Sequence, residues 1–124
     1  MFEVVVSDRF AAAHQLQLKD GTLEPLHGHN WNVKVTYTGE RLDETGVLID
    51  FVAVRTQLSE VIATLHERHL NELAYFRERG PSAEYVAIYI AERMTADGGD
   101  GARLAAVEVE EETGCFARYV PPFA

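Results

Sequence analysis

Cysteine is nearly absent from this 124-residue chain. Cys115 is the only one, so no disulfide can form within it. Such usage fits a reducing cytoplasm. Positive charge is scarce too: 11 Lys and Arg face 20 Asp and Glu, the net charge is −9, and the only lysines are Lys19 and Lys34. Nucleic-acid binding through phosphates needs a basic face, which this composition does not supply. There is no Gly-rich phosphate loop, so a phosphate-bearing ligand would need a local cluster drawn from these few cations. No apolar run approaches the roughly 20 residues that span a bilayer. Met1-Phe2-Glu3-Val4 lacks the basic n-region of a secretory signal, and a cytoplasmic location is expected. Hydrophobic residues make up 47% of the chain, which excludes disorder. The length suits one domain, 1–124, with a real core.

Three histidines stand out against this background. His14 ends Phe10-Ala11-Ala12-Ala13-His14, and His27 and His29 flank a glycine in Leu26-His27-Gly28-His29-Asn30-Trp31. On a strand, His27 and His29 share the face of Trp31, Val33, Val35 and Tyr37, because side chains alternate with period two. Two such imidazoles can bind one metal ion, and a third from a neighbouring strand completes a three-nitrogen site. Three neutral imidazoles with a fourth position open is the catalytic form of a zinc site, whereas structural zinc is closed by four protein ligands. A His-x-His pair also occurs in ordinary turns. Gly28 suggests close approach by a ligand or another backbone. Asn30 reads either as a residue orienting a ligand histidine or as a turn residue.

Periodicity supplies the rest of the plan. Phe2 to Ala13 reads as a strand centred on Val4, Val5 and Val6, and His29 to Thr38 alternates as a second. Asp50 is a plausible N-cap for a helix with Phe51, Val54, Leu58, Val61, Ile62 and Leu65 as its buried stripe. Gly80-Pro81-Ser82 breaks the chain. Ser82 caps a second helix with Ala87, Ile90, Ala91 and Met94 on one face, and Glu84 suits its first turn. Asp97 to Gly101 reads as a turn, and Ala105 to Glu111 and Cys115 to Val120 as two last strands. The expected fold is α+β, a four-stranded antiparallel sheet with two helices on one face in the order ββααββ. The sheet face carrying Trp31, Val33 and Tyr37 is expected to lie away from the helices and to need a second subunit as cover.

These blocks, together with Gly46-Val47-Leu48-Ile49-Asp50-Phe51, Leu70-Asn71, Pro81-Ser82-Ala83-Glu84 and Glu112-Thr113, follow the order found in 6-pyruvoyl-tetrahydropterin synthases. The chain also resembles the bacterial relatives that make 6-carboxytetrahydropterin for queuosine. The resemblance covers nearly the whole chain. It implies the tunnelling fold, a homohexamer built from two trimers, and active sites at subunit interfaces. It implies Zn²⁺ on His14, His27 and His29, and 7,8-dihydroneopterin triphosphate as substrate. Glu112 matches the family's pterin anchor, a carboxylate that can accept from the pterin's amino group and ring N–H together. Ser82 and Glu84 match positions that hold the ring from an adjacent subunit. Helix capping accounts for Ser82 and Glu84 as well, and solvation of an acidic run for Glu112.

The chain departs from that pattern twice. The family places a cysteine four residues before the first histidine of the pair, and here that residue is Leu23, which cannot take a proton. Glu24, three residues before His27, resembles the branch in which a glutamate replaces the cysteine and the side chain is cleaved to 6-hydroxymethyl-7,8-dihydropterin. An exposed loop carboxylate is the plainer reading. The second departure is in His66-Glu67-Arg68-His69-Leu70-Asn71, where the family has Asp-His before two variable residues and Leu-Asn. Adjacent helix residues point about 100° apart, so reversing acid and imidazole does not preserve geometry. His66 is then either a base or a helix-end histidine, with Glu67 beside it. The candidate catalytic set is Glu24, His66 and Glu67. A catalytically altered or inactive pterin-binding relative stays open beside the enzyme.

Overall fold

The computed structural model describes residues 1–94 and 101–122. Two long strands, β1 (Phe2–His14) and β2 (His27–Gly39), pair antiparallel along their whole length, from Phe2 opposite Gly39 to His14 opposite His27. Helix α1 (Phe51–Ala63) follows, then a two-residue strand β3 (Arg68–His69), two short 3-10 turns, helix α2 (Ala83–Arg93), and strands β4 (Arg103–Glu112) and β5 (Cys115–Tyr119). The sheet order is β3-β1-β2-β4-β5. The four expected strands are all present, and β3 is added parallel to the edge of β1 at Ala12 and Ala13. The expected turn over Asp97 to Gly101 falls mostly outside the described residues.

Alternation decides which side of the sheet is core. Even positions of β1 and odd positions of β2 share one face, so Val6 lies opposite Val35 and Phe10 opposite Trp31. Val54, Leu58, Val61 and Ile62 of α1 and Val86, Ala87, Ile90 and Ala91 of α2 are buried in the same core cluster. Each Val, Leu or Ile among them contributes about 1.5–3 kcal/mol by leaving water. Trp31 and Val33 are fully buried, and Tyr37 nearly so. The expectation that these three face away from the helices is therefore wrong. The inner face holds both the helices and this apolar row, and the outer face carries Asn32 and Lys34 instead. Phe51 also departs from its expected place: as the first residue of α1 it is 54% exposed, whereas Leu65, beyond the helix end, is fully buried.

The caps fall where expected. The Asp50 side chain accepts from the Val52 N–H and the Ser82 hydroxyl from the Tyr85 N–H. Gly39 closes β2 in a tight place: a Cβ there would stand 2.7 Å from Leu48 Cδ1, which would have to move, and 3.1 Å from the Gly101 carbonyl oxygen. No helix of the described residues is long and apolar enough to cross a membrane.

Candidate metal centre

The β1–β2 register builds the site. Because β1 ends where β2 begins, His14 lies directly opposite His27, and Ala12 opposite His29. The three imidazoles meet on the inner face, just past the end of the apolar row. Their ring centroids are 4.7 to 5.2 Å apart, and one ligand nitrogen from each lies within 4.8 Å of the others. Trp31 forms the floor, edge-on to His14 and His29, and its indole N–H donates to the Ala12 carbonyl at 3.1 Å. A slip of one residue between β1 and β2 would turn His14 to the opposite face.

Backbone carbonyls fix two of the tautomers. His14 Nδ1 is 2.7 Å from the Pro81 carbonyl oxygen and His27 Nδ1 is 2.7 Å from that of Pro25. A carbonyl only accepts, so each Nδ1 donates, and in the neutral ring Nε2 is left as a lone pair. Burial is the main cause holding the His14 pKa below its ordinary 6.5, so this ring is neutral near pH 7. His14 Nε2 and His29 Nε2 are buried without a hydrogen-bond partner. A ligand imidazole typically donates its other N–H to a carbonyl or carboxylate, and unpartnered buried nitrogens converging on one point are costly in a dry core. The donor set therefore fits a metal ion.

Two carboxylates stand beside the histidines. Glu24 Oε1 accepts from the Leu16 N–H at 3.0 Å and lies 3.9 Å from His27 Nε2, while the Glu24 N–H donates to the Leu16 carbonyl. It is thus part-buried and built into the site wall rather than free in a loop. The second is Glu111, which sequence reasoning passed over. Its Oε1 is 3.2 Å from His14 Nε2 and its Oε2 is 4.0 Å from His29 Nε2. The signal was available: Val107, Val109 and Glu111 share a parity on β4, and the first two are buried. Glu112 ends β4 in an exposed position opposite Cys115, after a register shift between Glu110 and Glu112.

The other candidates lie further round. Ser82 and Glu84 begin α2, directly after the Pro81 carbonyl that holds His14. His66 and Glu67 sit at the outer edge of β1. His66 Nδ1 accepts from the Ala11 N–H at 3.1 Å, and the Glu67 N–H donates to the Ala11 carbonyl at 2.6 Å. Both side chains are exposed, with 3.7 Å between His66 Nε2 and Glu67 Oε1. Neither joins the three-histidine group, although Glu67 shares a concavity with His29. Asn30 points away from the cluster by parity, so it is neither a turn residue nor a partner of the histidines. Gly28 leaves ordinary room for a Cβ, 3.8 Å from the Ala12 carbonyl oxygen. With His29, Asn30, Glu67 and His69 it lines a surface concavity of about 570 Å³.

The molecule is an α+β domain in which three histidines, at the seam of two long strands, could hold a metal ion. The family model for 6-pyruvoyl tetrahydropterin synthase matches residues 3–122, and the chain belongs to that family of pterin-processing enzymes. A 6-carboxy-5,6,7,8-tetrahydropterin synthase of Synechocystis sp. is 32% identical over 118 residues, covering 91% of this chain and 88% of that protein. A dihydroneopterin monophosphate aldolase of Pyrococcus furiosus is 29% identical over 91 residues, 73% of each chain. The solved 6-pyruvoyl tetrahydropterin synthase of Caenorhabditis elegans superposes with a TM-score of 0.82 at 26% identity, covering 98% of this chain and 96% of that one. The Plasmodium vivax enzyme superposes at 0.76 with 20% identity, which bears on the fold alone. The fold is the tunnelling fold of this family.

Proposed function

We propose that this protein is a zinc-dependent lyase of pterin biosynthesis acting on 7,8-dihydroneopterin triphosphate or a related dihydroneopterin phosphate. The observation that carries the reading is the convergence of His14, His27 and His29 with two tautomers locked for Nε2 ligation. Those three residues would hold the Zn²⁺, which when bound supplies acidity to a side-chain hydroxyl and polarises a developing carbonyl. Glu24 takes the role of the proton-moving group. Its place against His27 supports this, since a general base must stand within hydrogen-bond reach of the substrate group held there. Leu23, the residue before it, carries no titratable atom. Ser82, Glu84 and Glu112 are assigned to the pterin ring, partly from a neighbouring subunit. Arg77 and Arg79 line a concavity of about 430 Å³ that also includes Gln15, next to His14, and they are the cations offered to a substrate phosphate.

The product follows from the base. A glutamate in place of cysteine favours cleavage of the side chain to 6-hydroxymethyl-7,8-dihydropterin, a folate precursor, and similarity to an aldolase acting on dihydroneopterin monophosphate agrees with that. The 6-carboxy or 6-pyruvoyl compound is the product if the general family activity is retained. One observation favours a second reading, a pterin-binding module without turnover: the His66 ring is tied to the edge of β1, its Nδ1 accepting from the Ala11 N–H. Incubation with 7,8-dihydroneopterin triphosphate and with the monophosphate, followed by product identification, separates the readings. Turnover that Glu24→Ala abolishes with zinc retained supports the lyase. Tight pterin binding without turnover supports the module, and full activity in Glu24→Ala removes Glu24 as the base.

The working unit is proposed to be a homohexamer of two trimers. β5 is an open edge carrying the exposed Phe116, and β3 covers only two residues of β1, leaving two strand edges to pair with other subunits.

A further inference from the structure

We propose that Glu111 is a fourth metal ligand, closing the His14–His27–His29 centre when no substrate is bound and giving up its position to a substrate oxygen. This rests on the metal-site reading above and changes its resting state from open to closed. The first argument is distance. Metal–nitrogen and metal–oxygen bonds of about 2.0–2.2 Å in a tetrahedron set neighbouring ligand atoms roughly 3.3–3.5 Å apart. Glu111 Oε1 is 3.2 Å from His14 Nε2, and Oε2 is 4.0 Å from His29 Nε2.

The second argument is chemical. The Pro81 carbonyl holds the His14 proton on Nδ1, so its Nε2 presents a lone pair to a carboxylate oxygen. In the neutral ring these are two acceptors, which repel at this distance. A divalent cation between them turns that repulsion into two ligand bonds. The third argument is placement. Glu111 comes from β4, next to β2 in the sheet, and follows the buried Val107 and Val109 on the inner face. It therefore approaches from a strand that carries none of the three histidines. A bound carboxylate also lowers the centre's charge from +2 to +1, which keeps its acidity low until substrate takes the place.

Cobalt titration of the metal-free full-length protein tests this, read by visible absorption and by competition with a chelator. Glu111→Ala and the isosteric Glu111→Gln should bind Co²⁺ at least roughly tenfold more weakly than wild type, with changed visible bands. Circular dichroism shows whether both variants are folded. Adding 7,8-dihydroneopterin to the wild-type cobalt form should shift its bands toward those of Glu111→Ala treated alike. Unchanged affinity and bands in both variants, with binding abolished in His27→Ala, would overturn the role of Glu111 and leave the three-histidine centre standing. Weaker pterin binding with unchanged cobalt binding would make Glu111 a ring contact and overturn the proposal too. No cobalt binding by the wild type would remove both the closure and the centre itself.

Discussion

The Pro81 and Pro25 carbonyls show how local contacts prepare His14 and His27, because each sets which ring nitrogen is left for a ligand. A similar contact fixes the chain just after His14. Asn71 Oδ1 accepts from the Gln15 N–H at 2.9 Å, and its Nδ2 donates to the Gln15 carbonyl at 2.8 Å. Asn71→Leu deletes both bonds and leaves two part-buried backbone groups unpaired, so it should cost about 2–4 kcal/mol in denaturant unfolding. It should also weaken metal binding, because residue 15 anchors the end of β1. His27 and His29 were legible as a pair because parity puts them on one strand face, and the family resemblance joined His14 to them. Glu111 obeyed the same parity but sat inside Glu110-Glu111-Glu112, where charge suggested solvent. The role of Pro81 was not legible, since a carbonyl contact across 67 residues leaves no mark in the sequence.

At the scale of elements, the joint between α1 and β3 turns on Glu67, the one non-glycine among the described residues with positive φ, at 58°. That conformation costs a side-chain-bearing residue about 1–2 kcal/mol, and most for a β-branched one. Glu67→Gly should leave the melting temperature unchanged or raised, and Glu67→Val should lower it. If Glu67 is needed only for this turn, Glu67→Gly keeps activity, whereas loss of activity with stability intact would mark a chemical role. The helices were well read from their stripes and caps, and Ser82→Ala should cost about 1 kcal/mol of stability. Phe51 was misplaced because a residue at the first helical position obeys the heptad count without lying over the sheet. Strand β3 was unreadable: two residues carry no period, and their pairing is set by the Ala11 contacts of His66 and Glu67.

For the whole molecule, both faces of the sheet were anticipated but assigned the wrong way round. Hydrophobic alternation gives the two faces of a strand but does not say which one the helices choose. The core so formed predicts an alkaline limit. Burial is the first cause raising the Tyr37 and Tyr75 hydroxyls from 10 to about 12, with Glu92 adding to it at Tyr75. Their folded pKa values exceed the unfolded one, so this contribution is complete below pH 10 and falls away as pH rises from 10 to about 12. Unfolding followed across that range should show the decline, less steep in Tyr75→Phe. Sedimentation should show a trimer or hexamer, and a stable monomer at micromolar concentration would remove any active site shared between subunits. The central claim is the metal centre, and metal analysis of the purified protein tests it most directly. One Zn²⁺ per subunit is predicted, lost in His27→Ala and in His29→Ala. Full metal content in both variants would contradict the account.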